Sequence, residues 1–383
     1  MFCPDTRSGA AIAIAIPARD EAERLPRCLT ALADQKARSF SWSDVTVVVV
    51  ANNCTDGTSQ VARMMAAGLP YRLLVDDVQL QEGHANAGGA RAAAMDAAAL
   101  ATRSGGILLS TDADGAARPN WLCANLAAFR AGADAVAGAI DLDPVEFVAL
   151  PPGLRTCLRR EISYGRLLDR LAALVDPEPH DPWPRHHWHS GASVAITAQA
   201  WKRIGGLPRV ATGEDRALCA AVQRAGLTLR HEPEARVTVS CRLDGRAHGG
   251  MAQTMNDRLA GAAIADPALE PARHALLRLQ GRRRFRGLRE GVIAAGDIAA
   301  TLRVNASAVR RAQSAPTFQI GWDALQAASP LLRRRPLPMG DLPQEIHAAR
   351  SIIASLTGGG RDRADRARGA PGEGARPLVP TPS

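Results

Sequence analysis

Short apolar runs alternate with amphipathic helical patterns four times over the first 140 residues of the chain. Each run is short and bounded by polar residues or glycine, which is typical of a strand buried on both faces. The segments between the runs have apolar residues at helical spacing, as Leu25, Cys28, Leu29 and Leu32 do. Strands that alternate with helices are joined by crossovers, so we expect an open α/β sheet of mostly parallel strands flanked by helices. The predicted strands are 11–16, 45–50, 71–75, 107–109 and 133–140.

Clusters of polar residues follow these strands at the points where the strands end. The clusters cover 17–21, 51–58, 83–91 and 110–115. Ligands of open parallel sheets bind at the carboxyl ends of the strands. We therefore expect the four clusters to line one binding site.

The cluster at 110–115 contains two carboxylates, Asp112 and Asp114, separated by one residue. Paired carboxylate oxygens at a sheet edge suit a hard divalent cation such as Mg²⁺ or Mn²⁺. The alternative is a simple turn, because Asp-Ala-Asp-Gly is also good turn chemistry. The three other polar clusters at the same predicted edge favour the metal site.

The region after residue 150 contains fewer clear signals. The spacing predicts a long helix over 155–174 and further strands over 194–196 and 235–240. Another helix begins at Thr212-Gly213-Glu214-Asp215, where a carboxylate in the first turn is stabilised by the helix dipole. Helix capping alone could therefore account for Asp215. The run His186-His187-Trp188-His189 lacks the spacing of a structural zinc site.

Positive charge is concentrated near the C-terminus. From residue 271 onward there are 19 Arg against 8 Asp and Glu, a balance of +11, so with a net charge of +9 the preceding residues sum to −2. Such a segment could contact nucleic acid, an anionic membrane surface or a phosphorylated substrate, or be a solvated arginine face. The scarcity of aromatic residues beside the charges argues against nucleic acid.

The remaining composition predicts a reduced, cytoplasmic protein. Seven cysteines are widely spaced without a Cys-x-x-Cys pair, and neither a signal peptide nor an apolar run long enough to span a membrane is present. The periodicity predicts helices over 270–290, 297–313 and 342–356. From 358 to 383, Gly, Pro, Arg and Ala dominate, which is typical of a disordered tail.

Four of these motifs together resemble the family 2 glycosyltransferases of the GT-A fold. They are Ile-Pro-Ala-Arg-Asp-Glu at 16–21, Asn-Cys-Thr-Asp-Gly-Thr at 53–58, Thr-Asp-Ala-Asp at 111–114 and Gly-Glu-Asp at 213–215. The resemblance implies a catalytic domain over 1–250, with a basic helical extension over 251–357 and the tail over 358–383. It also implies metal-dependent transfer of a sugar from a nucleotide-diphosphate donor to a hydroxyl acceptor, with inversion.

The resemblance assigns roles to individual residues. Asp112 would face the ribose and Asp114 would bind the metal between the phosphates. Asp215 would be the catalytic base, with Glu214 beside it. The nucleotide pocket would be formed by Pro17, Ala18, Arg19, Glu21, Asn52 and Asp56. The segment near the diphosphate would contain Gly83 and Arg91. The floor under the donor sugar would contain Gly191 and Ala192.

The chain departs from the family pattern at three places. Ala51-Asn52 stands where an Asp-Asp pair is common, which makes a uracil base less certain, since an amide both donates and accepts. Ala92 replaces an asparagine that often follows the arginine near the diphosphate. The C-terminal Gln-x-x-Arg-Trp motif is absent, and Arg242, Arg246 and His248 occupy its region. Arg242 could serve the leaving diphosphate, and His248 is either a third metal ligand or a loop histidine without a role.

Two other functions are compatible with such a sheet. A nucleotidyltransferase also uses carboxylates and Mg²⁺, but it would have a glycine-rich basic loop after the first strand, where Pro17-Ala18-Arg19 stands. A non-catalytic nucleotide-sugar-binding protein would tolerate the loss of Asp112, Asp114 or Asp215, and all three are present. The expected partners are the donor and a small-molecule or lipid-linked acceptor, without nucleic acid. The arginine-rich region could contact the inner face of a membrane peripherally.

Overall fold

The computed structural model describes residues 10–245 and 250–368, with side chains at 11–245 and 250–358. Up to residue 239, strands and helices alternate as the sequence predicts. The elements are β1 (Ala10–Ala18), α1 (Leu25–Ala33), β2 (Val45–Asn52), α2 (Thr58–Met65), β3 (Arg72–Val78), α3 (Ala87–Ala101), β4 (Thr102–Ser110), β5 (Ala116–Ala117), α4 (Trp121–Arg130), β6 (Ala135–Leu142), α5 (Pro144–Ala149), α6 (Pro152–Val175), β7 (Val194–Thr197), α7 (Ala198–Ile204), α8 (Glu214–Arg224) and β8 (Leu229–Val239).

These strands form one sheet in the order β3-β2-β1-β4-β7-β6-β8-β5. The pairs β1–β2, β2–β3, β1–β4 and β6–β8 are parallel, whereas β7 is antiparallel to both β4 and β6. The predicted mostly parallel α/β sheet is therefore confirmed. The chain passes through α5 and α6 before it enters the antiparallel strand β7. Because β7 begins opposite the last residue of β4, the loop before β7 lies beside the end of β4.

The two faces of β1 explain why the sheet is covered on both sides. Ile14 and Ile16 point to one face, where they are packed with Leu25, Leu29 and Trp121 of α1 and α4. On the opposite face the alternating residues are alanines, which are packed with the alanine-rich helix α3. Small side chains on both partners allow a helix and a strand to approach closely. The predicted fully buried strands follow from this double cover.

The C-terminal region is helical, as predicted, and has a core of its own. Phe285, Leu302, Trp322 and Leu325 are buried together, and α14 packs on α6 around Tyr164. The helices are α9 (Met251–Leu259), α10 (Ala272–Arg289), α11 (Ala295–Leu302), α12 (Ala306–Gln313), α13 (Phe318–Ala328) and α14 (Leu342–Arg368).

The structure differs from the predictions at three places in this region. The predicted helix over 297–313 is two helices, because Arg303 has a φ of 51° and Asn305 caps α12. Helix α13 was missed, although Thr317 is its N-cap and Phe318, Trp322 and Leu325 have helical spacing. Helix α14 continues to Arg368 and so overlaps residues 358–368 of the predicted disordered tail. Residues 369–383 of that tail lie outside the described residues.

Part of the C-terminal positive charge is neutralised inside the protein. Arg282 of α10 contacts Glu178 at 2.6 Å, and Arg286 contacts Asp176 at 3.1 Å. Asp176, at the end of α6, is buried and also contacts Arg282. These arginines therefore attach the C-terminal helices to the rest of the protein. The charge pattern of the sequence predicts only a solvated arginine face or a surface that contacts an anionic partner.

No helix within 10–245 or 250–368 is both long and apolar enough to cross a bilayer. The six cysteines in those ranges are all free thiols.

We predict that Phe285→Ala lowers the free energy of unfolding by about 3–5 kcal/mol, because it leaves a cavity in the core of the C-terminal helices. Chemical denaturation followed by circular dichroism measures the change. Val292→Ala is the control, since Val292 is 78% exposed and its truncation should change stability by about 0.5 kcal/mol at most. Equal losses in the two variants would contradict a separate core around Phe285.

Candidate active site

A cavity of about 1440 Å³ opens at the carboxyl ends of β1, β2 and β4 and extends toward α6 and the C-terminal helices. It exceeds the roughly 300–1,000 Å³ that a site for one small ligand needs. The predicted site residues that line it are Pro17, Arg19, Glu21, Asn52, Arg91, Asp112, Asp114, Gly191, Glu214, Asp215 and Arg242. The polar clusters at the ends of β1, β2 and β4 thus come together as expected.

Four predicted site residues do not line this cavity. Ala18 and Ala192 are buried, and Gly83 lies in an exposed turn. The carbonyl of Ala18 accepts a hydrogen bond from Nδ2 of Asn52 at 2.8 Å, so it orients a residue that does line the cavity. Asp56 is the fourth. His248 lies outside the described residues.

Asp56 connects the loops that follow β1 and β2. Its carboxylate accepts hydrogen bonds from the backbone N–H groups of Ala22 at 2.9 Å and Thr58 at 3.0 Å. Burial raises its pKa, but hydrogen bonds from Thr58 and Ala22 outweigh burial and lower the pKa overall. Asp20 makes a similar link, since it accepts from the backbone N–H of Thr55 at 2.7 Å. These two carboxylates therefore hold the backbone around Glu21.

Arg91 of α3 connects three segments at the centre of the site. Its Nε donates to Glu214 at 2.8 Å, and Nη2 donates to Asp112 at 2.8 Å. Its Nη1 donates to the hydroxyl of Ser110 and to the carbonyl of Gly191, both at 2.9 Å. Four of the five N–H donors of a guanidinium are therefore bonded within the protein. Burial alone would lower the pKa of Arg91. The charges and hydrogen bonds of Asp112 and Glu214 outweigh burial and raise the pKa overall, so the group stays charged.

Asp114 lies beside Arg242 at the other end of the same edge. Arg242 is 3.1 Å from the Asp114 carboxylate and also forms a two-point contact with Glu21. Burial and the neighbouring charge of Asp112 raise the pKa of Asp114 to about 6, although Arg242 counteracts this. A divalent cation would relieve this concentration of negative charge, so the oxygen donors present here fit such an ion.

Asp215 is the second residue of α8, which begins after Gly213 in the left-handed conformation (φ 72°). One carboxylate oxygen accepts from the backbone N–H of Gly191 at 3.2 Å, and the other accepts from Arg216 at 2.7 Å. Burial and the adjacent Glu214 raise the pKa of Asp215. Within the described ranges, no cationic side chain forms an ion pair with it. Such a carboxylate, facing a cavity, is suited to accept a proton.

Two histidines of the run before Gly191 have specific side-chain partners, and in the described part of the chain the run forms no group of three possible metal ligands. His187 contacts Asp169 at 3.0 Å. Nε2 of His189 lies 3.0 Å from Nε2 of His231, whose Nδ1 is 2.7 Å from Asp181. Burial lowers the pKa of His189 to about 3, so this histidine is neutral. The sequence could not reveal these pairs because 18 to 50 residues separate the partners.

Comparison with known proteins identifies the domain. Residues 13–182 match the family model described as glycosyl transferase family 2. This segment belongs to that family. The predicted family 2 resemblance is confirmed over this segment, which carries a glycosyltransferase domain. The match ends before Gly191, Asp215 and Arg242, which are placed at the cavity by the geometry above.

Two solved structures with some similarity to this chain contain bound nucleotide sugars. The mannosyltransferase PcManGT from Pyrobaculum calidifontis, in complex with GDP-Man and Mn²⁺, is 17% identical, covering 94% of this chain and 82% of that chain with a TM-score of 0.44. TarS 1–349 of S. aureus, in complex with UDP-GlcNAc, is 14% identical, covering 91% of this chain and 92% of that chain with a TM-score of 0.43. These values are too low to transfer either protein's ligands to this chain. Among curated proteins nothing matches.

We predict that Gly191→Ala disrupts the site of this glycosyltransferase. A Cβ at this position would lie 2.1 Å from Cζ of Arg91, whose guanidinium cannot move without losing its hydrogen bonds. Such overpacking costs about 1–3 kcal/mol, so the thermal unfolding temperature should fall. Gly153→Ala is the control, because its Cβ would meet nothing within 4 Å. An unchanged unfolding temperature in Gly191→Ala would contradict the packing of Arg91 against this loop.

Proposed function

We propose that this glycosyltransferase is metal-dependent and inverting, and that it moves a sugar from a nucleotide-diphosphate donor to a hydroxyl acceptor by single displacement. One observation supports this most directly. Asp112 and Asp114 at the end of β4 and Asp215 at the start of α8 line the same cavity, although they come from distant parts of the chain. A metal site and a base on one cavity are what the reaction needs.

The nucleotide would occupy the end of the cavity formed by Pro17, Arg19, Glu21 and Asn52. Nδ2 of Asn52 donates one of its two N–H groups to Ala18, so the carbonyl oxygen and the second N–H remain for a base. A carbonyl accepts hydrogen bonds, so it can pair with an N–H on the edge of the base. This supports a role for Asn52 in base recognition without the carboxylate that is common in the family.

The diphosphate would lie beside Asp112 and Asp114. These two carboxylates would hold Mg²⁺ or Mn²⁺, with the remaining ligands from phosphate and water. Such an ion, when bound, supplies Lewis-acid stabilisation of the leaving diphosphate. Arg242 is held by Glu21 beside Asp114, where its guanidinium can stabilise additional negative charge. Arg91 acts differently from the expected diphosphate ligand, because its bonded N–H groups position Asp112 and Glu214.

Asp215 would accept the proton of the acceptor hydroxyl as that hydroxyl attacks the anomeric carbon. The backbone N–H groups of Gly191 and Arg216 fix the orientation of its two oxygens. Glu214 is bonded to Arg91 and is therefore a positioning residue rather than a second base. A single base opposite the leaving group gives inversion, and such a base contributes ~10²–10⁴ in rate.

We predict that turnover requires a divalent cation. UDP-, GDP-, ADP- and CMP-sugars are screened by thermal shift with Mn²⁺ to find the donor, since a bound ligand stabilises the fold. Release of nucleoside diphosphate is then measured with Mg²⁺, with Mn²⁺ and in EDTA. We expect activity to disappear in EDTA and to return when the ion is restored. Full activity in EDTA would rule out a metal role for Asp114.

We predict that Asp215→Asn binds the donor normally but lowers kcat by roughly 10²–10⁴, because asparagine keeps the size of the side chain and cannot accept the proton. Donor binding is measured by thermal shift and kcat by nucleoside diphosphate release. Asp96→Asn is the matched control, since Asp96 contacts Arg209 at a half-exposed position on α3 and does not line the cavity. Survival of turnover in Asp215→Asn would place the base elsewhere.

A further inference from the structure

Most carboxylates that line the cavity already have a partner of opposite charge. Examples are Glu161 with Arg258, Asp176 with Arg282 and Glu270 with Arg278, in addition to the pairs around Arg91 and Arg242. Within the described ranges, the cavity carboxylates that lack an arginine or histidine partner are Asp215 and Asp266. The acidic lining is therefore largely neutralised by the protein itself.

Several arginines of the same lining are not neutralised. Arg159 and Arg166 of α6 and Arg216 of α8 line the cavity, and no carboxylate in the described part of the chain forms an ion pair with them. Arg159 instead lies over the ring of Phe147, 5.2 Å from its centroid. Uncompensated positive charge is thus present on the α6 and α8 walls of the cavity.

The two arginines of α6 lie on one face of the helix. They are seven residues apart, or about 10.5 Å along the axis, and Ile162 between them lines the cavity too. Close by, the ring of His187 contacts Asp169 on the next turn of α6. This face of α6 therefore presents Ile162 to the cavity with a guanidinium group on either side.

Arg216 lies next to the proposed base. It follows Asp215 in sequence, and its charge lowers the pKa of both Asp215 and His189. His189 is neutral, and burial also lowers the pKa of His186, so neither of these two histidines adds positive charge here. The positive potential beside Asp215 consequently comes from arginine, whose charge does not vary with pH in the ordinary range.

We propose that the part of the cavity between Asp215 and α6 binds an acceptor that has a phosphate or carboxylate group, with Arg159, Arg166 and Arg216 as its ligands. Guanidinium groups bind both oxyanions through paired N–H donors. The identification of the ligand as the acceptor rests on the proposed function. The preference of this surface for an oxyanion is independent of the proposed function, because it follows from the arginines that form no ion pair.

Three probes that share a glycerol-like skeleton test this inference: glycerol, glycerate and glycerol 3-phosphate. Binding to the full chain is measured by calorimetry in EDTA and without donor, so that no metal site competes for the anion. We expect glycerate or glycerol 3-phosphate to bind and glycerol not to bind, and the stronger of the two identifies the oxyanion. Equal behaviour of the three probes would overturn the proposal.

Variants locate the binding surface. Arg166→Ala and Arg216→Ala should each weaken oxyanion binding about tenfold or more, because each removes a charge-assisted hydrogen bond. Arg160→Ala is the matched control: this neighbour of Arg159 lines a different depression, with Cys157 and Met339, and should bind the probes as the unaltered protein does. An equal loss in Arg160→Ala would mean non-specific attraction and would contradict the proposal.

The outcomes separate this inference from the proposed function. Specific oxyanion binding together with no sugar transfer would refute the proposed function and leave the oxyanion site standing. Metal-dependent transfer with no preference among the three probes would refute the oxyanion site alone.

Discussion

The buried guanidinium of Arg91 is the interaction on which the geometry of this site depends. It is bonded to the end of β4, to the loop before β7 and to the first residue of α8. The end of β4 leads to Asp112 and Asp114, and the start of α8 contains Asp215, so two of these segments carry the groups proposed to act in the reaction. A charged group at this depth is stable only with opposite charges and hydrogen bonds around it. Because two carboxylates and two oxygen acceptors surround it, Arg91 stays buried and fixes their relative positions.

Gly191 transmits this constraint to Asp215. Its carbonyl accepts from Arg91, and its N–H donates to the Asp215 carboxylate. The position of the proposed base is thereby set by the same loop that closes around the arginine. The family model stops short of this loop, so its importance is visible in the hydrogen bonds rather than in the match.

The amino-acid sequence was sufficient to predict the local features and insufficient for those that depend on distant pairs. The strands β1, β2 and β4 and the convergence of their polar ends followed from periodicity, because strand pattern and parallel topology are local consequences of sequence. The pairing of Arg91 with Glu214 spans 123 residues, so no spacing rule could reveal it. Asp56 shows a different limit: a carboxylate in a site motif can bond to backbone N–H groups instead of the ligand. The break at Arg303 was missed because a left-handed arginine leaves no compositional signal.

The cavity has walls from two separately packed cores. The donor end is built on the sheet, whereas Arg278, Trp322 and Gln326 of the far end belong to the C-terminal helices. Those helices are joined to the body by apolar packing of α10 and α14 on α6 and by ion pairs of α10 with the end of α6. Substitutions in the second core can therefore reshape the far wall of the cavity while the sheet edge remains the same. Under the proposed function, that wall is free to diversify without changing the groups proposed to act on the donor.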